Sequence, residues 1–166
     1  MNYYKEDMQN YHKGVRKARH CFFHYALRKK QQRKKGFRRK IWSFLLRLAQ
    51  SGTGCEITTS NIGRRIFFPH MSGIIISYFS KIGDDCVICQ QVTIGRNRFH
   101  DYEKAPVKAP VIGNKVFIGA GAKIIGPITV GDNVRIGANT VVTKDVPSDC
   151  TVVGANRIIH RGEKET

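Results

Sequence analysis

The pattern of apolar and polar positions changes character near residue 54. Along residues 1–50, apolar side chains gather on helical faces: Phe22, Phe23, Tyr25 and Ala26, then Ile41, Trp42, Phe44, Leu45 and Leu48. The intervening positions are rich in Lys, Arg and Gln, which are good helix formers, and proline is absent. Two helices are predicted, roughly 9–33 and 37–50, broken at Gly36 beside the basic run Arg33-Lys34-Lys35. Ser51-Gly52-Thr53-Gly54 reads as a hinge into a second region.

From about residue 57 the pattern repeats every six residues. Aliphatics stand at Ile112, Ile118, Ile124, Val130, Ile136 and Val142, and the same spacing links Ile76, Ile82, Ile88 and Ile94. Neither an amphipathic helix nor a simple alternating strand has that period. Hexapeptide repeats predict an all-β parallel β-helix in which three repeats make one coil of about 18 residues. The small inward positions fall two residues before each aliphatic: Ser80, Cys86, Val92, Val116, Ala122, Ile128, Val134 and Thr140. A prism with such repeated faces is expected to self-assemble.

Two interruptions break the repeat. Residues 96–109 (RNRFHDYEKAPVKA) are polar and proline-bearing, and span a coil's length between Ile94 and Ile112. They read as an extended loop thrown out from the coils, a place where function often sits. Earlier, Phe68 and Ile82 are 14 residues apart where two repeats would need 12. The two extra residues fall in or beside Pro69-His70-Met71-Ser72-Gly73, which puts His70 at a bulged corner outside the inward face. There an imidazole is a candidate for chemistry.

Charge adds a third feature. The net charge is +17, and residues 1–50 hold 15 Lys/Arg against 2 Asp/Glu. Such a leader concentrates anionic partners: nucleic acid, anionic lipid or acidic polymer. The best apolar run, Ile41–Ala49, contains Arg47 and is too short to span a bilayer, and MNYYKEDMQN does not open like a signal peptide. A cytoplasmic location is expected, with peripheral contact at the inner face of the membrane. The five cysteines are odd in number and irregularly spaced, which fits a reducing compartment. Cys86-Val87-Ile88-Cys89 has no second ligand pair, so no metal site is expected and Cys86 reads as a small core residue.

Four stretches taken together carry a resemblance: IGRRIFFPHMSGIII at 62–76, IGDDCVICQQVTIG at 82–95, IGNKVFIGAGAKIIGPITVGDNVRIGANTVVTKDVP at 112–147, and VVGANRII at 152–159. Over about Gly54–Ile159 the chain resembles the hexapeptide-repeat acetyltransferases, specifically their serine acetyltransferase-like branch. The resemblance implies a left-handed β-helix, a handedness that the usual preference for right-handed crossovers would not suggest. It also implies a homotrimer with active sites between subunits, acetyl-CoA as donor and no metal. By the family's pattern His70 matches the general base, and Glu56 is the upstream acid that would orient its ring. Ile57 to Ile62 spans five residues where the family usually has six, so Cys55 is the alternative occupant of that slot. Ala120 and Ala138 match positions along the pantetheine arm, Gly95 and Arg96 the turn near the thioester, and Lys144 and Arg157 phosphate contacts. Gln90, His100 and Asp101 are candidates on the acceptor side.

The acceptor is read from two departures. Serine acetyltransferases carry a longer helical N-terminal domain, and a second active-site histidine before the segment matching IGNKVFIG, where this chain has Ala109. The expected acceptor is therefore a sugar hydroxyl of a surface polysaccharide, such as capsule or exopolysaccharide, or its precursor. The basic leader would then rest on anionic membrane or acidic polysaccharide. Serine O-acetylation in cysteine biosynthesis is the alternative. Nucleic-acid binding through the basic helices is a reading of another class, without a recognised motif to accompany it. The expected divisions are a helical leader at 1–53, an acyltransferase domain at 54–160 and a tail at 161–166.

Overall fold

The computed structural model describes Lys5, Asp7 and residues 17–31, 36–58, 61–97 and 108–160. Among the described residues two helices are bounded, α1 (Lys17–Gln31) and α2 (Phe37–Gln50), and Lys5 and Asp7 are also helical. The second coincides with the expected 37–50. The described part of the first lies inside 9–33, and the rest of that stretch falls outside the described residues.

The remainder winds as a parallel β-helix with three faces. The first face stacks β1 (Glu56–Ile57), β2 (Ile75–Ile76), β5 (Thr93–Gly95), β8 (Lys123–Ile125) and β11 (Val141–Val142). The second stacks β3 (Lys81–Ile82), β6 (Val111–Ile112) and β9 (Thr129–Val130). The third stacks β4 (Val87–Ile88), β7 (Phe117–Ile118), β10 (Arg135–Ile136) and β12 (Cys150–Val153), and closes with the antiparallel β13 (Arg157–His160). Each short strand shows one side chain outward and one inward. The inward aliphatics and all eight predicted small positions are buried. Cys86 is one of these; its Sγ lies 3.2 Å from the Gly113 carbonyl, and burial pushes its thiol up to about 11.

Register corrects the reading of the 96–109 segment as a coil's length. Ile76 pairs with Ile94, 18 residues on, but Ile82 pairs with Ile112, 30 residues on. The chain leaves the first face after β5 and returns on the second, so the segment is inserted at one corner and replaces no coil.

Close stacking sets the second-to-third corner. A Cβ added to Gly83 would meet the Gly113 carbonyl oxygen at 2.5 Å and its carbonyl carbon at 2.6 Å. The turn is tied vertically by side chains: the Arg64 N–H donates to Asp84, the Asp84 N–H to Asn114, the Asn114 N–H to Asp132, and the Asp132 N–H to Ser148. Backbone cannot yield there without breaking this ladder. Gly83→Ala is expected to cost about 1–3 kcal/mol by overpacking, read as a lower urea midpoint at unchanged slope.

The leader is fastened to the first coil by a buried network. Arg28 donates to both Asp7 carboxylate oxygens, at 2.7 and 2.8 Å, and to the carbonyls of Ile62 and Gly63. His24 Nδ1 stands 3.2 Å from the same carboxylate, and Ile66 donates its N–H there too. Phe23 packs edge-on against Phe68. Burial opposes ionisation of Asp7, but hydrogen bonds from His24 and Arg28, with the Arg28 charge, hold its carboxyl below the ordinary value. Burial pushes the His24 imidazole below its ordinary value, so the neutral ring donates Nδ1–H to Asp7. Gln50 finishes the join by exchanging two hydrogen bonds with the Ile57 backbone, which satisfies the edge of β1.

Candidate active site

The bulge at His70 has a local cause. Phe67 still bridges Val87, and Phe68 points inward, fully buried. Phe68 and Ile76 then lie eight residues apart, where the next coil takes six from Ile88 to Ile94. Met71 and Ile74 turn in and are buried, the Ser72 N–H donates to the His70 carbonyl at 3.1 Å, and the His70 side chain is left exposed.

That corner, between the third and first faces, continues through the coils. Gln91 donates its N–H to Ser72, Gly121 to Gln90 and Asn139 to Ala120. Gly73 likewise donates its N–H to Thr53 in the coil below. Thr53, Ser72, Gln90, Ala120 and Ala138 therefore form one column, with His70 two residues before Ser72. Each precedes a residue with positive φ: Gly54 (65°), Gly73 (61°), Gln91 (60°), Gly121 (73°) and Asn139 (54°). This left-handed turn is what Gly and Asn favour. Gln90 and Ala120 are half-buried and Ala138 is exposed.

Glu56 opens the first face in the first coil, paired with Ile75 and exposed. Cys55 points into the core, its Sγ 3.9 Å from the Thr53 carbonyl. Among the described residues, neither the His70 ring nor the Glu56 carboxylate makes a side-chain hydrogen bond or ion pair. Glu56 lines a groove of about 770 Å³ between α2 and the first coils, together with Lys30, Arg47, Gln50, Cys55 and Tyr78; His70 lies outside this lining.

The other candidates sit elsewhere. Gly95 ends β5 and Arg96 follows it at the first-to-second corner, where Gly126 donates to the Gly95 carbonyl at 3.0 Å. Lys144 follows β11 at the same corner, exposed. Arg157 begins β13, opposite Val153. One chain thus holds two separate groups: His70, Gln90, Ala120 and Ala138 along one corner, and Gly95, Arg96 and Lys144 along the next. His100 and Asp101 lie outside the described residues. Sequence reading missed the aromatic pair Tyr78–Phe79 (centroids 5.2 Å apart) and the Arg96 guanidinium stacked 5.0 Å over Phe79. The adjacent aromatics after β2 were the only signal in the sequence, and stacking partners are set by coil register.

The family model "Bacterial transferase hexapeptide (six repeats)" matches residues 109–144. A serine acetyltransferase of Synechococcus elongatus is 44% identical over 124 residues, 74% of this chain and 48% of that protein. One from Helicobacter pylori is 45% identical over 113 residues, 67% of this chain and 63% of that protein. Among solved structures, serine acetyltransferase isoform 3 of Entamoeba histolytica in complex with cysteine superposes with a TM-score of 0.73 at 26% identity, covering 99% of this chain and 60% of the other. A serine acetyltransferase in complex with CoA gives 0.61 at 30% identity, covering 80% and 51%. The chain spans about half to somewhat under two thirds of the length of these proteins.

These likenesses overturn the expected sugar acceptor and the capsule context that went with it, because relatives 43–46% identical are serine acetyltransferases. The sugar reading rested on Ala109 and on the short leader. Ala109 is a buried packing position just before β6, and the leader is anchored by Asp7 and Arg28; neither observation concerns an acceptor. With the solved neighbours, the repeats fix the fold as a left-handed parallel β-helix preceded by short helices. The chain belongs to the hexapeptide-repeat acetyltransferases, in their serine acetyltransferase-like branch.

Proposed function

We propose that this protein is a serine O-acetyltransferase, moving the acetyl group of acetyl-CoA to the hydroxyl of L-serine. The observation that carries the reading is His70: an exposed imidazole at a bulged corner of the first coils, beside a column that continues through Gln90, Ala120 and Ala138, in a chain 43–46% identical to serine acetyltransferases.

In this reading residues 54–160 carry the chemistry, and residues 1–53 form a leader clasped to the first coil. His70 takes the proton from the serine hydroxyl as that oxygen attacks the thioester carbonyl. Glu56 is the acid assigned to orient the ring and to stabilise the imidazolium as it forms; Cys55, turned into the core, is not. Acetyl-CoA supplies the activated acyl group and leaves as a thiol. The corner fits a pantetheine arm because Ala120 and Ala138 present only methyl groups outward. Lys144 and Arg157 offer cations to the phosphates, and Gly95 and Arg96 form the turn near the thioester. Gln90, with His100 and Asp101 from the inserted segment, is assigned to the acceptor side. The two corner groups are separated by a whole face of one prism. A homotrimer, in which one copy's corner meets the next copy's, brings them to a single site.

The test is acceptor turnover. Thiol release from acetyl-CoA is expected with L-serine and at most weakly with L-threonine or L-homoserine. Absence of serine turnover, with clear turnover of another hydroxyl compound, would overturn the reading.

A further inference from the structure

Helix α2 has two apolar faces, and the coils use only one. Leu46, Ala49 and Gln50 are buried, with Trp42 and Leu45 half-buried against the core. Phe37, Ile41, Phe44 and Leu48 recur at intervals of three or four residues on the opposite side, so they form one stripe. All four are exposed: Phe37 77%, Ile41 41%, Phe44 66% and Leu48 56%. At 1.5 Å per residue the stripe runs most of a helix about 20 Å long.

The flanks of the stripe are cationic. At 100° per residue Arg38 falls on one side, and Lys40 and Arg47 on the other, all three exposed. The helix carries no Asp or Glu. On the Arg47 flank the groove beside the helix is lined by Lys30, Ser43, Arg47 and Ser51, with Glu56 on its far wall. Four large apolar side chains flanked by Arg38 on one side and by Lys40 and Arg47 on the other are the marks of a helix that lies in a membrane interface, apolar stripe among the acyl chains and cations at the headgroups. No described helix is long and apolar enough to cross a membrane, so the contact is in-plane.

We propose that α2 docks the protein on an anionic lipid surface, with Phe37, Ile41, Phe44 and Leu48 inserted and Arg38, Lys40 and Arg47 on the headgroup phosphates. Charge complementarity selects this occupant. A second copy of α2 on the same stripe would bring two rows of cations together with no carboxylate on either helix to neutralise them. The proposal does not depend on the identity of the acyl acceptor.

The experiment is flotation of the full chain with vesicles of phosphatidylcholine alone or mixed with phosphatidylglycerol. The wild type is expected to float with the anionic vesicles and far less with the neutral ones. Phe37→Ser with Phe44→Ser, both at exposed positions, is expected to lower partitioning at least about tenfold, since two phenyl groups no longer leave water. Serine turnover in solution is expected to be equal in this variant, so failure here and failure of the acetyltransferase reading are seen separately. No flotation with anionic vesicles overturns the proposal. So does equal flotation of the variant, which would mean charge alone holds the protein. A sedimentation mass that falls in the variant without vesicles also overturns it, because the stripe would then be a contact between copies.

Discussion

His70→Ala is expected to lower kcat/KM for acetyl transfer to L-serine by about 10²–10⁴-fold, the usual contribution of a positioned general base. The fold should not change, because the ring is exposed, makes no side-chain hydrogen bond among the described residues, and follows a core anchor, Phe68, that stays in place. An exposed truncation of this kind normally shifts stability by no more than about 0.5 kcal/mol. Loss of activity at unchanged melting temperature would therefore report chemistry. Glu56→Gln keeps shape and removes charge; it should slow turnover less than His70→Ala and leave KM for acetyl-CoA unchanged. Turnover of His70→Ala within a few-fold of wild type, with the authentic acceptor, would remove His70 from the mechanism.

The second large effect is on stability. Asp7→Ala is expected to cost about 3–5 kcal/mol, because it removes the buried carboxylate that pairs with the Arg28 guanidinium. Arg28 would lose its ion pair while its bonds to the carbonyls of Ile62 and Gly63 remain, and the Ile66 N–H would lose its acceptor. Adding Arg28→Met should recover part of the loss, since an apolar pair avoids burying a charge that has lost its counter-ion, while the bonds Arg28 gives to the carbonyls of Ile62 and Gly63 are also lost. Urea midpoints of the single and double variants check this; an Asp7→Ala protein as stable as wild type would show that the clamp contributes nothing.

The same network sets a pH dependence. The His24 imidazole is buried and its folded value lies below the ordinary 6.5, so the unfolded chain binds the extra proton first. Stability is full above that value and falls as pH drops below it. Asp7, also held low, adds a second loss as pH falls below its ordinary 3.8. A melting temperature that rose between pH 7 and 5 would contradict the sign for His24.

Much of the fold was legible because a solenoid makes sequence spacing and space nearly the same thing. Ile112, Ile118 and Ile124 each occupy the next face, and the small residues two positions earlier fill the axis. The slip of two residues around His70 was visible for the same reason: a regular period makes an irregularity countable. The acceptor was not legible. Ala109 and the short leader were read as signs of a sugar, but one packs before β6 and the other packs through Phe23 and Arg28.

By itself the sequence determined the period, hence the parallel coils, the inward core and the exposed corner carrying His70. Local geometry is enough for this, because each six-residue repeat meets only its neighbours above and below. What only the tertiary structure decided depends on contacts between distant segments. The inserted segment opens one corner rather than filling a coil, since Ile112 finds Ile82. Cys55 goes inward and Glu56 outward, since β1 registers on β2. Arg28, one of fifteen cations in the leader, is drawn out of water by a carboxylate 21 positions away and two carbonyls of the first coil. No periodicity encodes such pairings, because burial of a charge is settled by whichever partner the folded chain brings to it.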